Sequence, residues 1–186
     1  MNVRDSEVIC GLLEKEGYKI TDDSKEADII LFNTCSVRQH AEDKVWSEIG
    51  RIAKRWTRDD GGGTKKPIIG LVGCMAQNHG QDAFRRAPEI DFVVGPSDIA
   101  KIPAIITKFV QHLHSIIPRN LYESKIWETD GEFRPEEIYH TGFYQDKEHA
   151  YVLISQGCSN YCSYCVVPYV RGELRHRDSR DIIREI

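Results

Sequence analysis

No stretch of this 186-residue chain approaches the ~18–20 consecutive apolar residues that a membrane-spanning helix needs. Internal repeats and low-complexity segments are missing too. Basic charge is not in excess: a net charge of −4 and a pI near 6.0 do not announce a nucleic-acid binder. The most basic local stretch, Arg51 to Lys66, reads first as a solvated helix face and loop. No secretion signal is seen, so the six cysteines point to a reducing, cytoplasmic compartment, where clustered cysteines bind metal more often than they form disulfides. Two apparent motifs fail. Gly61-Gly62-Gly63-Thr64-Lys65-Lys66 lacks the spacing of a P-loop, and His176-Arg177-Asp178 has no other kinase element beside it. With about 40% hydrophobic residues, the chain can bury one full core and part of another.

What the chain does have is Cys158-Ser159-Asn160-Tyr161-Cys162-Ser163-Tyr164-Cys165, a C-x-x-x-C-x-x-C run with an aromatic residue before the last cysteine. Three thiolates this close can hold three corners of a [4Fe–4S] cubane. The fourth iron then lacks a protein ligand and can take a small molecule, the arrangement that radical S-adenosylmethionine (SAM) enzymes exploit. Ala150-Tyr151-Val152-Leu153-Ile154-Ser155 reads as a buried strand. The cysteines would follow its C-terminal end, where a (β/α) barrel places its catalytic loops. Structural zinc is the rival, because Cys158, Cys162, Cys165 and His176 make a Cys₃His set. Zinc ribbons and knuckles, however, use small Gly-rich turns rather than the end of an apolar strand.

The run Gly157 to Gly172 resembles the radical-SAM motif of the methylthiotransferases. Asn33-Thr34-Cys35-Ser36-Val37-Arg38, Gly73-Cys74-Met75-Ala76-Gln77 and Asp91-Phe92-Val93-Val94-Gly95-Pro96 resemble segments of that family's N-terminal domain, in the family's order. Ser36-Val37-Arg38 and Val166-Val167-Pro168-Tyr169 are most similar to the branch that methylthiolates isopentenyl-adenosine in tRNA. Sister branches act on threonylcarbamoyl-adenosine or on a ribosomal protein. The resemblance implies two [4Fe–4S] clusters: a radical-SAM cluster on Cys158, Cys162 and Cys165, and an auxiliary cluster with Cys35 and Cys74 among its ligands. It also implies SAM as methyl donor and radical source, with the backbone at Tyr164 against the adenine of SAM. The implied partners are tRNA, an electron donor such as flavodoxin or ferredoxin, and a sulfur source, with the enzyme acting as a monomer. The family's RNA-binding domain lies further towards the C-terminus, so an acidic balance here is no obstacle.

Strands and helices alternate over the first hundred or so residues, which predicts an open parallel α/β sheet. Ser6 or Asp5 is placed to cap a helix through Val8, Ile9, Leu12 and Leu13, with Gly17 as its stop. Predicted strands are Ala27–Phe32, Pro67–Val72 and Ile90–Val94, separated by helices over Ala41–Arg55 and about Gln77–Arg86. Ser97 is placed to cap a further helix running to about His114. Domain boundaries follow: an α/β domain over 1–116, an extended linker over 117–148, and from 149 the start of a radical-SAM partial barrel. Trp127, Phe133, Phe143 and Tyr144 are the residues expected to pin the linker down. Loops after parallel strands gather along one edge of the sheet, so Cys35 and Cys74 should face each other across one crevice. Spacing alone allows them to be a buried free pair; the resemblance makes them ligands. Cys10, among Val8, Ile9, Leu12 and Leu13, reads as core.

The chain opens on a helix with no strand before it, and the family's Gly-Cys-Gln that precedes this helix is absent. The expectation is that Met1 is an internal methionine, that the first strand and a third auxiliary ligand lie upstream, and that this segment alone is inactive. Restoring in-frame upstream codons should raise bound iron by roughly four atoms per chain. An in-frame stop directly upstream, or equal iron content with and without the extension, would refute this.

Overall fold

The computed structural model describes residues 2–57, 66–113, 125–131 and 134–186. The triple glycine at 61–63 and the stretch 114–124 lie outside the described residues. Four parallel strands form the sheet in the order β1-β2-β3-β4: Ile29–Asn33, Ile68–Val72, Phe92–Val94 and Ile126–Glu128. The α/β parallel sheet expected from the alternation is therefore present.

Period-2 alternation divides the core into two layers. Ile68, Val72, Phe92 and Val94 face one side and pack with Val8 and Ile9 of α1 (Asn2–Lys15) and with Ile102, Ile105, Ile106 and Phe109 of α5 (Ile102–Leu113). Ile69, Leu71 and Val93 face the other and meet Ile49 and Ile52 of α2 (Gln39–Thr57), Met75 and Ala76 of α3 (Cys74–His79) and Ala83 of α4 (Asp82–Arg86). Each fully buried isoleucine contributes about 1.5–3 kcal/mol, so these two seams hold the sheet.

Several local expectations give way to tertiary contacts. Asp5 and Ser6 are not caps, since α1 already begins at Asn2. Asp5 instead turns its carboxylate into a buried ion cluster, and Ser6 Oγ accepts a hydrogen bond from Asn33 Nδ2 at 2.8 Å. The single helix expected over 77–86 is two: α3 begins at Cys74 and ends at Gly80 (φ 51°), before α4 starts at Asp82. Ser97 does not cap α5, which is preceded by a 3₁₀ turn at Ile99–Lys101. Asp98 carries the polar contacts there, to Gly131 N at 2.9 Å and Lys101 Nζ at 2.8 Å.

The described parts of the segment read as a linker pack with the sheet and α1. Ile126–Glu128 is the fourth strand of the sheet, parallel to β3 in register Phe92↔Ile126. Trp127 points outward and is exposed; Phe133 lies outside the described residues; Phe143 and Tyr144 are half-buried. The anchoring is done by Arg134 and by Ile138 and Tyr139 on a 3₁₀ segment, Glu136–Thr141, that packs against α1. Three strand residues between charged neighbours leave too short a periodic signal to read.

The strand expected at Ala150–Ser155 is also different. Pairing is limited to β5 (Ser155–Gln156), antiparallel to β6 (Arg175–His176). Only Leu153 is buried there, while Tyr151 and Ile154 face solvent. Among the described residues no parallel neighbour flanks this segment, so its apolar alternation lacks a second layer to bury against. Helices α6 (Val167–Arg171) and α7 (Ser179–Glu185) follow the cysteine loop.

Asp5 is about 1% exposed and receives Arg134 Nη1 at 2.6 Å and Arg171 Nη2 at 2.7 Å. Burial alone pushes its carboxyl up, but Arg134 and Arg171 outweigh it and hold the group below its ordinary value. A group depressed in the folded state stabilises fully above its unfolded pKa and loses that contribution as pH falls through the folded value. The Asp5 contribution should therefore be constant from neutral pH to about pH 4 and be lost below it, so that stability falls more steeply there in the parent than in Asp5→Asn. Asp5→Ala, which strands two buried guanidinium groups, should cost about 3–5 kcal/mol in urea denaturation. A loss under about 1 kcal/mol, the scale of an exposed pair, would contradict this assignment.

Candidate metal centre

In register, Asn33 of β1 lies beside Val72 of β2, so the two loops that follow leave the same edge of the sheet. Met75 N donates to Thr34 O at 3.2 Å across them. Gly73 makes this approach feasible: its φ is 82°, and a Cβ there would stand 2.4 Å from Asn33 Oδ1. Cys35 is half-buried and Cys74 buried, close enough for the charge of one to act on the other. Burial pushes the Cys74 thiol up and Cys35 adds to the rise, while Arg171 pulls against it. Metal binding here must therefore displace a proton from Cys74. The two cysteines expected to share one edge of the sheet lie on adjoining segments there.

Glu42 ties the two loops together. Its carboxylate, 4% exposed on the first turn of α2, accepts from Ser36 Oγ, next to Cys35. It also meets His79 Nε2 at 2.8 Å, on the helix that Cys74 begins. Burial pushes the Glu42 carboxyl up, but Ser36 and His79 outweigh it and hold it below its ordinary value.

The third thiol-bearing loop leads into α6. Gly157 (φ 79°) opens it, and a Cβ there would meet Glu173 O at 2.0 Å. Cys158 N donates to Gly172 O at 3.0 Å, and Leu174 N to Ser159 Oγ at 3.0 Å, so the start of the loop is tied to the return segment. Tyr161 adopts φ 45°, a left-handed conformation that non-glycine residues rarely take and that concentrates at functional sites. Cys162 is exposed, Cys158 and Cys165 half-exposed, and the Tyr164 side chain stands in solvent. Among the described residues no three His, Cys, Asp or Glu side chains are gathered into a ready-made cage. The three thiols share one loop without converging. His176, the fourth member of the zinc alternative, is exposed on β6.

Helix α6 packs against α3 and brings Arg171 to the pair. Arg171 Nε donates to Cys74 Sγ at 2.9 Å, and Nη2 to Asp5 Oδ2 at 2.7 Å and Asn2 Oδ1 at 3.0 Å. Among the described residues, Arg171 Nη1 is buried with no partner. Soft thiol donors on adjoining loops and an orphaned cationic N–H beside them fit a sulfide-rich anionic cluster. Cys10 stands apart: half-buried on α1, it lines a cavity of about 470 Å³ with Leu13, Tyr18, Ile29 and Leu31. Its thiol is pushed up by burial, then by Glu14 and Glu7.

The fold and these loops define a thiol-bearing α/β domain. Residues 1–95 match a family profile described as "Uncharacterized protein family UPF0004", and the chain belongs to that family. Proteins named tRNA-2-methylthio-N(6)-dimethylallyladenosine synthase are similar over its full length. The one from Rickettsia prowazekii is 38% identical over 185 residues, which is 100% of this chain and 40% of that protein. Those from Rickettsia typhi and Rickettsia akari are 38% and 36% identical over the same share. The chain thus spans about 40% of the length of these curated relatives. The resemblance carried by the motifs stands.

Glu42, His79 and Arg134 were not singled out from sequence, and Asp5 only as a helix cap. Each acts through a partner distant in the chain, so no local spacing marks it. The Cys35–Cys74 proximity is open to a direct check. With the other four cysteines changed to serine, phenylarsine oxide should bind one per chain, and Cys35→Ser or Cys74→Ser should abolish that. Glu42→Ala should weaken the binding and cost about 1–3 kcal/mol in stability, having left His79 and Ser36 without their acceptor. Equal arsenical binding in the single-cysteine chains would refute the pairing.

Proposed function

We propose that this chain is part of a radical-SAM enzyme that transfers a methylthio group to the adenine ring of isopentenyl (dimethylallyl) adenosine in tRNA, in the cytoplasm. The observation that carries the reading is the junction at Arg171, where the helix that follows the Cys158–Cys165 loop reaches Cys74. Its support is the full-length similarity to proteins bearing that name. Cys158, Cys162 and Cys165 would hold one [4Fe–4S] cluster, and Cys35 and Cys74 would contribute to a second. Bound there, the clusters would supply reductive cleavage of SAM and a carrier for sulfur.

The chain's own residues set the stage. Gly157 and the bonds at Cys158 and Leu174 hold the loop on its base, leaving its cysteine-bearing tip open. The backbone beside Tyr164 would lie along the adenine of SAM. Glu42 keeps the loops of Cys35 and Cys74 at a fixed separation. The partners that go with this reading are tRNA, a flavodoxin- or ferredoxin-like electron donor and a sulfur source, with the enzyme acting as a monomer.

Two measurements test it. Deleting the gene should remove 2-methylthio nucleosides from digested tRNA and leave the isopentenyl-adenosine precursor; an unchanged methylthio signal would overturn the assignment. Anaerobic reconstitution with iron and sulfide should give a brown protein. Changing Cys158, Cys162 and Cys165 to alanine should remove the SAM-responsive cluster, whereas Cys10→Ala should not. A colourless parent that binds one zinc would refute the cluster reading.

A further inference from the structure

We propose that Arg171 is a positioning residue of the Cys35/Cys74 centre, supplied by the segment that carries the other three cysteines, and that it raises the reduction potential of a cluster bound there. The inference rests on the cluster reading above. Its basis is a single guanidinium that reaches a thiol of the first domain from the end of α6, only a few residues after Cys165.

The group is fixed from both sides. Arg134 donates to one oxygen of Asp5 and to Pro96 O, so Asp5 cannot turn away; the other oxygen takes Arg171 Nη2. Asn2 Oδ1 takes a second bond from the same nitrogen. What is left of the rigid, always-charged fork is Nε on Cys74 Sγ and the buried, unpartnered Nη1. A buried N–H of a cation without an acceptor is costly, and a sulfide or thiolate sulfur is the acceptor that a cluster on Cys74 would bring. Hydrogen bonds to cluster sulfurs and nearby charge set the potential of such centres. An added electron beside a fixed cation is stabilised, so the potential rises. Lysine could supply the charge but not both the Asp5 and Cys74 contacts in one plane.

The test uses the full-length protein with Cys158, Cys162 and Cys165 changed to alanine, so that only the Cys35/Cys74 centre is loaded. Iron content and the midpoint potential are measured by EPR-monitored reduction in the parent, Arg171→Lys and Arg171→Gln. The expected result is a bound cluster in all three, with the potential lowered in Arg171→Lys and lowered further in Arg171→Gln. If Arg171→Gln fails to accumulate, Arg171→Lys alone decides. A potential unchanged from the parent overturns the inference while leaving the cluster reading intact. No cluster in the parent, with Cys35 and Cys74 present, overturns the cluster reading itself.

Discussion

A carboxylate with almost no water access cannot stay charged unless cations surround it, and Asp5 meets that demand with two guanidinium groups drawn from distant parts of the chain. Much of the arrangement follows from this one requirement. Arg134 fixes the segment after β4 against α1, and Arg171 fixes the end of α6 against the same helix turn. Arg4, the preceding residue, repeats the device. It donates to Tyr139 O at 2.7 Å and Glu185 Oε1 at 2.7 Å, and lies over the Tyr144 ring. Arg177 then bridges Glu185 and Asp181, and His140 Nε2 meets Asp181 at 2.7 Å. One turn of α1 thus gathers segments of the C-terminal third of the chain by charge, alongside the apolar burial of Ile138, Tyr139 and Leu153. Such networks contribute less net stability than their bond count suggests, because desolvation offsets the attraction. They do penalise any other docking, since a misplaced element would strand an ion.

Two polar devices organise the thiols, and they differ in kind. Glu42 works within the sheet edge: it holds two loops that leave neighbouring strands, and its partners lie one residue after Cys35 and five after Cys74. Arg171 works between segments and touches the sulfur itself. Loss of the first would spread the pair; loss of the second would leave the pair in place but change the charge it sees. The two effects are separable because the groups share no atoms.

What the sequence made legible is what local periodicity encodes. Ile68–Val72 and the Ile49/Ile52 stripe follow from apolar spacing, and the approach of Cys35 to Cys74 follows from the geometry of parallel strands. The cysteine run stood out by its spacing, which by itself left a cluster and a zinc site as rivals. Illegible were the features decided by distant partners. Asp5 looked like a helix cap because its carboxylate has two competing uses, and only the folded chain shows that two arginines claim it. Ile126–Glu128 looked like linker because a three-residue strand is specified by the open edge of β3 rather than by its own pattern. The break at Gly80 was hidden because a glycine within a helical pattern is read as tolerated until its positive φ is seen.

The five cysteines proposed as cluster ligands share a residue type and little else. Cys74 is 5% exposed, under an arginine and against Cys35, whereas Cys162 is exposed on a loop whose Tyr161 and Tyr169 rings meet edge to face at 6.1 Å. A thiol in the first setting is screened from exchange with solvent molecules, and one in the second is reachable by them. On the proposed reading these environments suit opposite tasks. A centre that admits and releases a small cofactor at each turnover gains from an open face. A centre that carries sulfur gains from burial, where water cannot compete for the transferred group. The chain meets both needs by placing one set of cysteines on the tip of a loop and the other at the root of two strands. A single buried arginine, on the helix after that loop, ties its segment to Cys74 and Asp5.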